Sequence, residues 1–100
     1  MTPFTVKSIN FDDDQITVLF EESWYQEDIS SLSAFLLSKF LEHKVKEITL
    51  GADRENTRFQ WQEAEFMLNF DFYSQSCWFN AQDPSSTKRM LDLYKALIEK

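Results

Sequence analysis

Apolar and polar positions along this chain change their repeat several times, and each change marks an element. Phe4-Thr5-Val6-Lys7-Ser8-Ile9 alternates with a period of two and predicts a first strand. Asn10 to Asp14 has turn chemistry, because short Asn and Asp side chains bond their own backbone and tolerate tight bends. Gln15 to Phe20 reads as a second strand with Ile16, Val18 and Phe20 on one face, so the first two strands form a hairpin. The repeat then becomes helical: Ile29, Leu32, Leu36 and Phe40 share a stripe that Phe35, Leu37 and Leu41 widen. Asp28, or Ser23 with Gln26, supplies the N-terminal cap, and Lys39, His43 and Lys44 lie towards the C-terminal end, where positive charge suits the helix dipole.

Beyond that helix the period returns to two. Glu47 to Leu50 is a short strand ended by Gly51, Asp53 to Thr57 reads as a charged loop, and Arg58 to Trp61 starts another strand. Glu65 to Tyr73 is the longest strand, with Phe66, Leu68, Phe70 and Phe72 opposite Met67, Asn69, Asp71 and Tyr73. Ser76 to Asn80 is the last strand. Asp83-Pro84 opens a closing helix whose expected buried stripe is Met90, Leu91, Tyr94, Leu97 and Ile98. The order β-β-α-β-β-β-β-α predicts an α+β fold, a two-layer sandwich with both helices on one face of a mostly antiparallel sheet. The passage from Val18 through the helix to Ile48 suggests one parallel pair made by a right-handed crossover.

Composition narrows the function classes. A chain of 100 residues with no linker-like stretch and no repeat reads as one domain. Its 16% aromatic content and single glycine point to a core of rings and leave no room for a glycine-rich phosphate loop or a nucleophile elbow. Cys77 is the only cysteine and His43 the only histidine, which removes disulfides, cysteine-based metal sites and two-histidine metal motifs. The N-terminus lacks a signal-peptide pattern and no apolar run approaches the length of a membrane span, so the cytoplasm is the default location.

The net charge of −7 is unevenly placed: no basic residue falls between Lys7 and Lys39, whereas Asp12, Asp13, Asp14, Glu21, Glu22, Glu27 and Asp28 do. That balance argues against nucleic acid and against an anionic membrane surface, both of which recruit Lys and Arg, and towards a protein partner of basic character. Asn10, Asp12, Asp14 and Glu21 fall at calcium-loop spacing, but Gln15 stands where the loop requires Gly and a strand carries Glu21 away from the turn. No catalytic, cofactor or metal residue is therefore assigned. The leading expectation is a non-catalytic interaction or accessory module whose contact is Trp24, Tyr25, Glu27 and Asp28, where two aromatics sit inside acidic sequence. A second is a small-ligand domain with an aromatic pocket at Tyr73, Cys77 and Trp78. A carboxylate-based enzyme ranks third. Self-association is expected to stop at a monomer or weak homodimer meeting through exposed edge strands.

In length, acidity and strand order the chain resembles the short bacterial families known as domains of unknown function. That resemblance implies no residue roles.

Overall fold

The hairpin signal at the start of the chain is realised in the structure, a computed structural model that describes residues 4–99. β1 (Val6–Asp12) and β2 (Gln15–Phe20) pair antiparallel with Asp12 opposite Gln15. The turn is thus only Asp13-Asp14, and Asp13 takes the left-handed conformation (φ 55°) that aspartate tolerates better than most residues. Strand β1 begins and ends later than its alternation indicated, because pairing with β2 carries it to the turn.

A 3-10 turn, Gln26–Asp28, leads into α1 (Ile29–Leu37). Asp28 turns its carboxylate back to accept the Tyr25 N–H at 2.8 Å. The apolar stripe outlasts the helix. Ser38 donates its hydroxyl to the Phe35 carbonyl at 2.6 Å, the next N–H groups reach back only three residues, and Glu42 (φ 64°) reverses the chain. Phe40 still enters the core, but Leu41, expected on the buried stripe, is exposed.

β3 (Lys44–Leu50), β4 (Arg54–Trp61), β5 (Ala64–Asp71) and β6 (Ser76–Ala81) follow as an antiparallel meander. The expected loop over Asp53 to Thr57 is mostly strand. Glu55 and Asn56 are poor strand formers by composition, yet pairing with β5 on one side and β3 on the other overrides that preference. The sheet order is β1-β2-β6-β5-β4-β3 and every pair is antiparallel. The anticipated parallel crossover does not form: α1 carries the chain from β2 to the far edge of the sheet, and the meander returns until β6 meets β2.

Among the described residues the result is an α+β fold of six antiparallel strands and three α-helices. Register places Phe11, Ile16, Phe79, Leu68, Thr57 and Ile48 in one row across the sheet. Ring contacts from the helical segments land on this face. Phe40 stacks on Phe59 at 5.6 Å and meets Phe79 edge-on at 5.7 Å, and Tyr94 lies 5.6 Å from Phe11. The other face is mixed: Leu19, Met67 and Trp78 lie among polar residues that bond one another. Asn56 donates to Asn69 and Asn69 to Asn80, both at 2.7 Å, so the amide of Asn69 is buried without being orphaned.

Asp83 caps the closing segment as its sequence indicated, accepting the Ser86 N–H at 2.7 Å at the start of α2 (Pro84–Thr87). Arg89 then leaves helical geometry (ψ 2°) before α3 (Met90–Ile98). That break resets the helical phase. Met90, Leu93 and Leu97 become the buried stripe, while Leu91 and Ile98, expected inside, are half-exposed.

Candidate functional site: the exposed face of an edge strand

β3 occupies one edge of the sheet and pairs only with β4, and all seven of its residues are exposed. Its side chains still obey the sheet's geometry. Val45 lies opposite Phe59, Ile48 opposite Thr57 and Leu50 opposite Glu55, on the face to which the core belongs. Phe59 and Thr57 are covered, but Val45, Ile48 and Leu50 remain 46%, 54% and 71% exposed. Burial of this face therefore ends one strand short of the sheet's edge. Between α1 and this strand runs a groove of about 340 Å³, with Ser30, Ser33 and Ala34 on the helix side and Val45, Ile48 and Glu55 among its other walls.

Glu55 is the anomalous member. Its register partners are Leu50 and Phe70, so its carboxyl stands on the apolar face, half-buried. Burial pushes its pKa above the ordinary carboxylate value. The neighbouring cations cannot answer it, because strand alternation turns Arg54 and Arg58 to the opposite face. There Arg54 meets Asp71 at 3.1 Å, and Arg58 meets Glu65 at 3.0 Å and Glu47 at 3.6 Å. Among the described residues no cation lies within ion-pair distance of Glu55. At the groove's end His43 Nδ1 sits 2.9 Å from the Phe40 carbonyl oxygen, which fixes Nδ1 as the donor.

The edge itself is blunted. The register shifts between Val45 and Glu47, so Lys46 is an extra residue that kinks the strand, and Lys44 and Lys46 add charge to its first half. Bulges and lysines are the usual means by which an edge resists adding another strand.

Residues 6–99 match the family described as a protein of unknown function, DUF3630. The chain belongs to the DUF3630 family. No curated protein and no solved structure matches it. Among the described residues of this DUF3630 chain, no helix is long and apolar enough to cross a membrane, and no group of three or more His, Cys, Asp or Glu is placed to hold a metal ion.

The contact expected at Trp24, Tyr25, Glu27 and Asp28 loses one of its two aromatics to the core. Trp24 is 2% exposed, meeting Phe70 edge-on at 5.5 Å. Tyr25 and Glu27 stay exposed, with Tyr25 leaning on Phe72 at 6.2 Å, and the carboxylate of Asp28 is taken up by the Tyr25 N–H instead of capping α1. The acidic turn at Asp12 to Asp14 and the Glu21 to Asp28 segment do lie at opposite ends of β2.

Tyr73, Cys77 and Trp78 are not brought together either. Cys77 faces the core opposite Phe70, and burial raises its thiol pKa far above the usual range. Trp78, one residue on, points to the other face opposite Asn69, and Tyr73 is 88% exposed in the turn between β5 and β6. An apolar recess does exist in the helix–sheet seam, but elsewhere. A groove of about 620 Å³ lies between β1 and the C-terminal ends of α1 and α3, walled by Ile9, Phe35, Leu36 and Leu97 with Lys39 and Glu99 in its lining.

Sequence reasoning passed over Val45, Ile48, Leu50 and Glu55. The bulge at Lys46 breaks the period-two pattern of β3 into two phases, and Glu55 fell in what looked like a loop. The signal that was available is the apolar spacing 48 and 50 with 45 out of step, which is what one inserted residue produces.

Proposed function

We propose that this DUF3630 protein is a non-catalytic interaction module of the cytoplasm, built as two layers with its helices on one sheet face, and that its partner binds where that helical layer stops short of β3. One observation carries the reading: Val45, Ile48 and Leu50 extend the core face of the sheet into solvent, with an unpaired carboxylate, Glu55, in the same face. Exposed apolar side chains next to a charge that lacks its counterpart are a common form for an unfilled interface. On the opposite face the polar groups lend the same support, since the Asn56–Asn69–Asn80 chain and the arginine pairs already satisfy one another.

The test is affinity capture from the native host with the wild-type protein and an Ile48→Asp variant. Because Ile48 is already half-exposed, the variant is expected to fold as the wild type does, as circular dichroism checks. Partners recovered by the wild type should be lost with Ile48→Asp. An unchanged set would place the contact elsewhere, and turnover in an enzyme screen with no partner recovered would replace this reading with a catalytic one.

A second reading, a small-ligand domain, is favoured by the recess between β1 and the two helix ends, which has apolar walls and the oppositely charged Lys39 and Glu99 in its lining. Ile9→Trp would fill it. Loss of a bound small molecule from that variant alone would favour this alternative.

A further inference from the structure

The groove constrains what can fill it, so the following rests on the interaction reading above. We propose that the face of β3 receives an amphipathic helix from a partner protein, laid beside α1, with a lysine or arginine of that helix paired to Glu55. Three occupants compete for the site: an added strand, a second copy of this chain, and a helix. The bulge at Lys46 and the two lysines disfavour the strand, because an added strand needs an unbroken row of N–H and C=O groups. A second copy brings a second net charge of −7 and another unpaired Glu55, so the same electrostatics that invite a cation oppose it.

A helix suits the remaining geometry. The side of α1 bordering the groove carries Ser30, Ser33 and Ala34, small residues that let another helix approach closely. Val45, Ile48 and Leu50 supply the sheet surface on which its apolar stripe would rest, as Leu32, Leu36 and Leu37 of α1 already pack into the core. Such a helix would continue the layer over the last strand. Glu55 stands where an all-apolar helix would bury a carboxylate against hydrocarbon, which is costly, whereas a helix presenting one cation there converts the cost into a charge-assisted hydrogen bond. Specificity follows from the same atom: helices lacking a base at that position are rejected by the unpaired carboxylate.

The experiment uses the full chain and three synthetic helical peptides of roughly 20 residues, beyond the length at which isolated helices are marginal in water. Each has a leucine stripe interrupted once, by arginine, glutamine or glutamate. Binding is followed by fluorescence anisotropy and by methyl shifts of Val45, Ile48 and Leu50 in NMR spectra. The arginine peptide should move those methyls and bind best, and Glu55→Gln should weaken it about tenfold while leaving the glutamine peptide unchanged. If both peptides bind at these methyls and Glu55→Gln affects them equally, the interaction face stands but the ion pair is refuted. Methyl shifts that depend on protein concentration without peptide would show a second copy as the occupant and overturn the helix. Binding of no peptide, or binding that leaves these methyls still, also overturns the helix, whereas the interaction reading itself falls only with the capture experiment on Ile48→Asp.

Discussion

The side chain of Gln75 brackets the backbone of Trp24 from across the fold. Its Oε1 accepts the Trp24 N–H at 2.9 Å while its Nε2 donates to the Trp24 carbonyl at 2.8 Å. One amide thus does for a loop what a neighbouring strand does for a sheet, satisfying a donor and an acceptor that would otherwise enter the protein unpaired. Gln75 itself takes a left-handed conformation (φ 57°), so the turn after β5 is bent to present it. Gln75→Ala should lower stability by about 2 kcal/mol, because two partly buried backbone groups lose partners at once. Urea unfolding measures it, and a change within error would show that water replaces the amide without cost.

Trp24 should behave as a core residue. Trp24→Ala is expected to cost about 3–5 kcal/mol through the cavity left against Phe70 and Phe72, whereas Tyr25→Ala at the exposed neighbouring position should stay within roughly 0.5 kcal/mol. Denaturation midpoints separate the two. Equal small effects would return Trp24 to the surface and reopen the Trp24–Asp28 contact.

Glu55 makes stability depend on pH in the direction opposite to a salt-bridged acid. Burial raises its folded-state pKa above the ordinary value of 4.5, so its neutral form suits the fold. Its favourable contribution is complete below that ordinary value and is lost as pH rises through the raised one. Glu55→Gln should therefore be more stable than wild type at neutral pH, with the difference vanishing below the ordinary value. Thermal unfolding at acidic and neutral pH measures this, and a variant less stable at pH 7 would mean that Glu55 has a cation after all.

The β4–β5 hairpin turns through Gln62 and Glu63, both left-handed (φ 52° and 64°). That is the conformation of the favoured two-residue hairpin turns, made here with residues that pay for it sterically. Gln62 also accepts a hydrogen bond from Arg89 at 3.1 Å, so Glu63 is the position free to change. Glu63→Gly should stabilise the protein by about 1 kcal/mol. Guanidinium unfolding is the check; destabilisation would mean that the entropy glycine adds to the unfolded chain outweighs the relieved strain.

Elements whose two faces differ in polarity were legible from the chain. β2, β6 and the Asp83-Pro84 helix start appear where alternation and capping chemistry put them, and β5 does so up to Asp71, two residues short of the expected Tyr73 and no longer than β4. Each rests on contacts between residues near in sequence or on the core's demand for one apolar face. Boundaries failed where a single residue altered the phase. Lys46 bulges β3, Ser38 and Glu42 end α1 early, and Arg89 splits the closing helix, and none of these departs from an ordinary polar residue on paper. The candidate site failed in the same way. Trp24 and Tyr25 are adjacent aromatics in acidic sequence, and residues far along the chain, Gln75 on the backbone with Phe70 and Phe72 on the ring, hold the first inside while the second stays out.

By itself, then, the sequence determined the α+β class, the hairpin at the start and the apolar faces of the central strands, because amphipathic period and turn chemistry are local properties. It also determined the family, through residues 6–99. The tertiary structure alone decided which strand became the edge. Nothing within Lys44 to Leu50 states that α1 will carry it to the far side of the sheet, or that its apolar side chains will stay exposed there. Glu55 depends on that outcome entirely: with its loop reading it is a solvated charge, and with β4 paired on both sides it stands on the apolar face beside Leu50 and Phe70. Strand order is set by which long-range pairings bury the most surface together, and that is a sum over the whole chain that no local pattern contains.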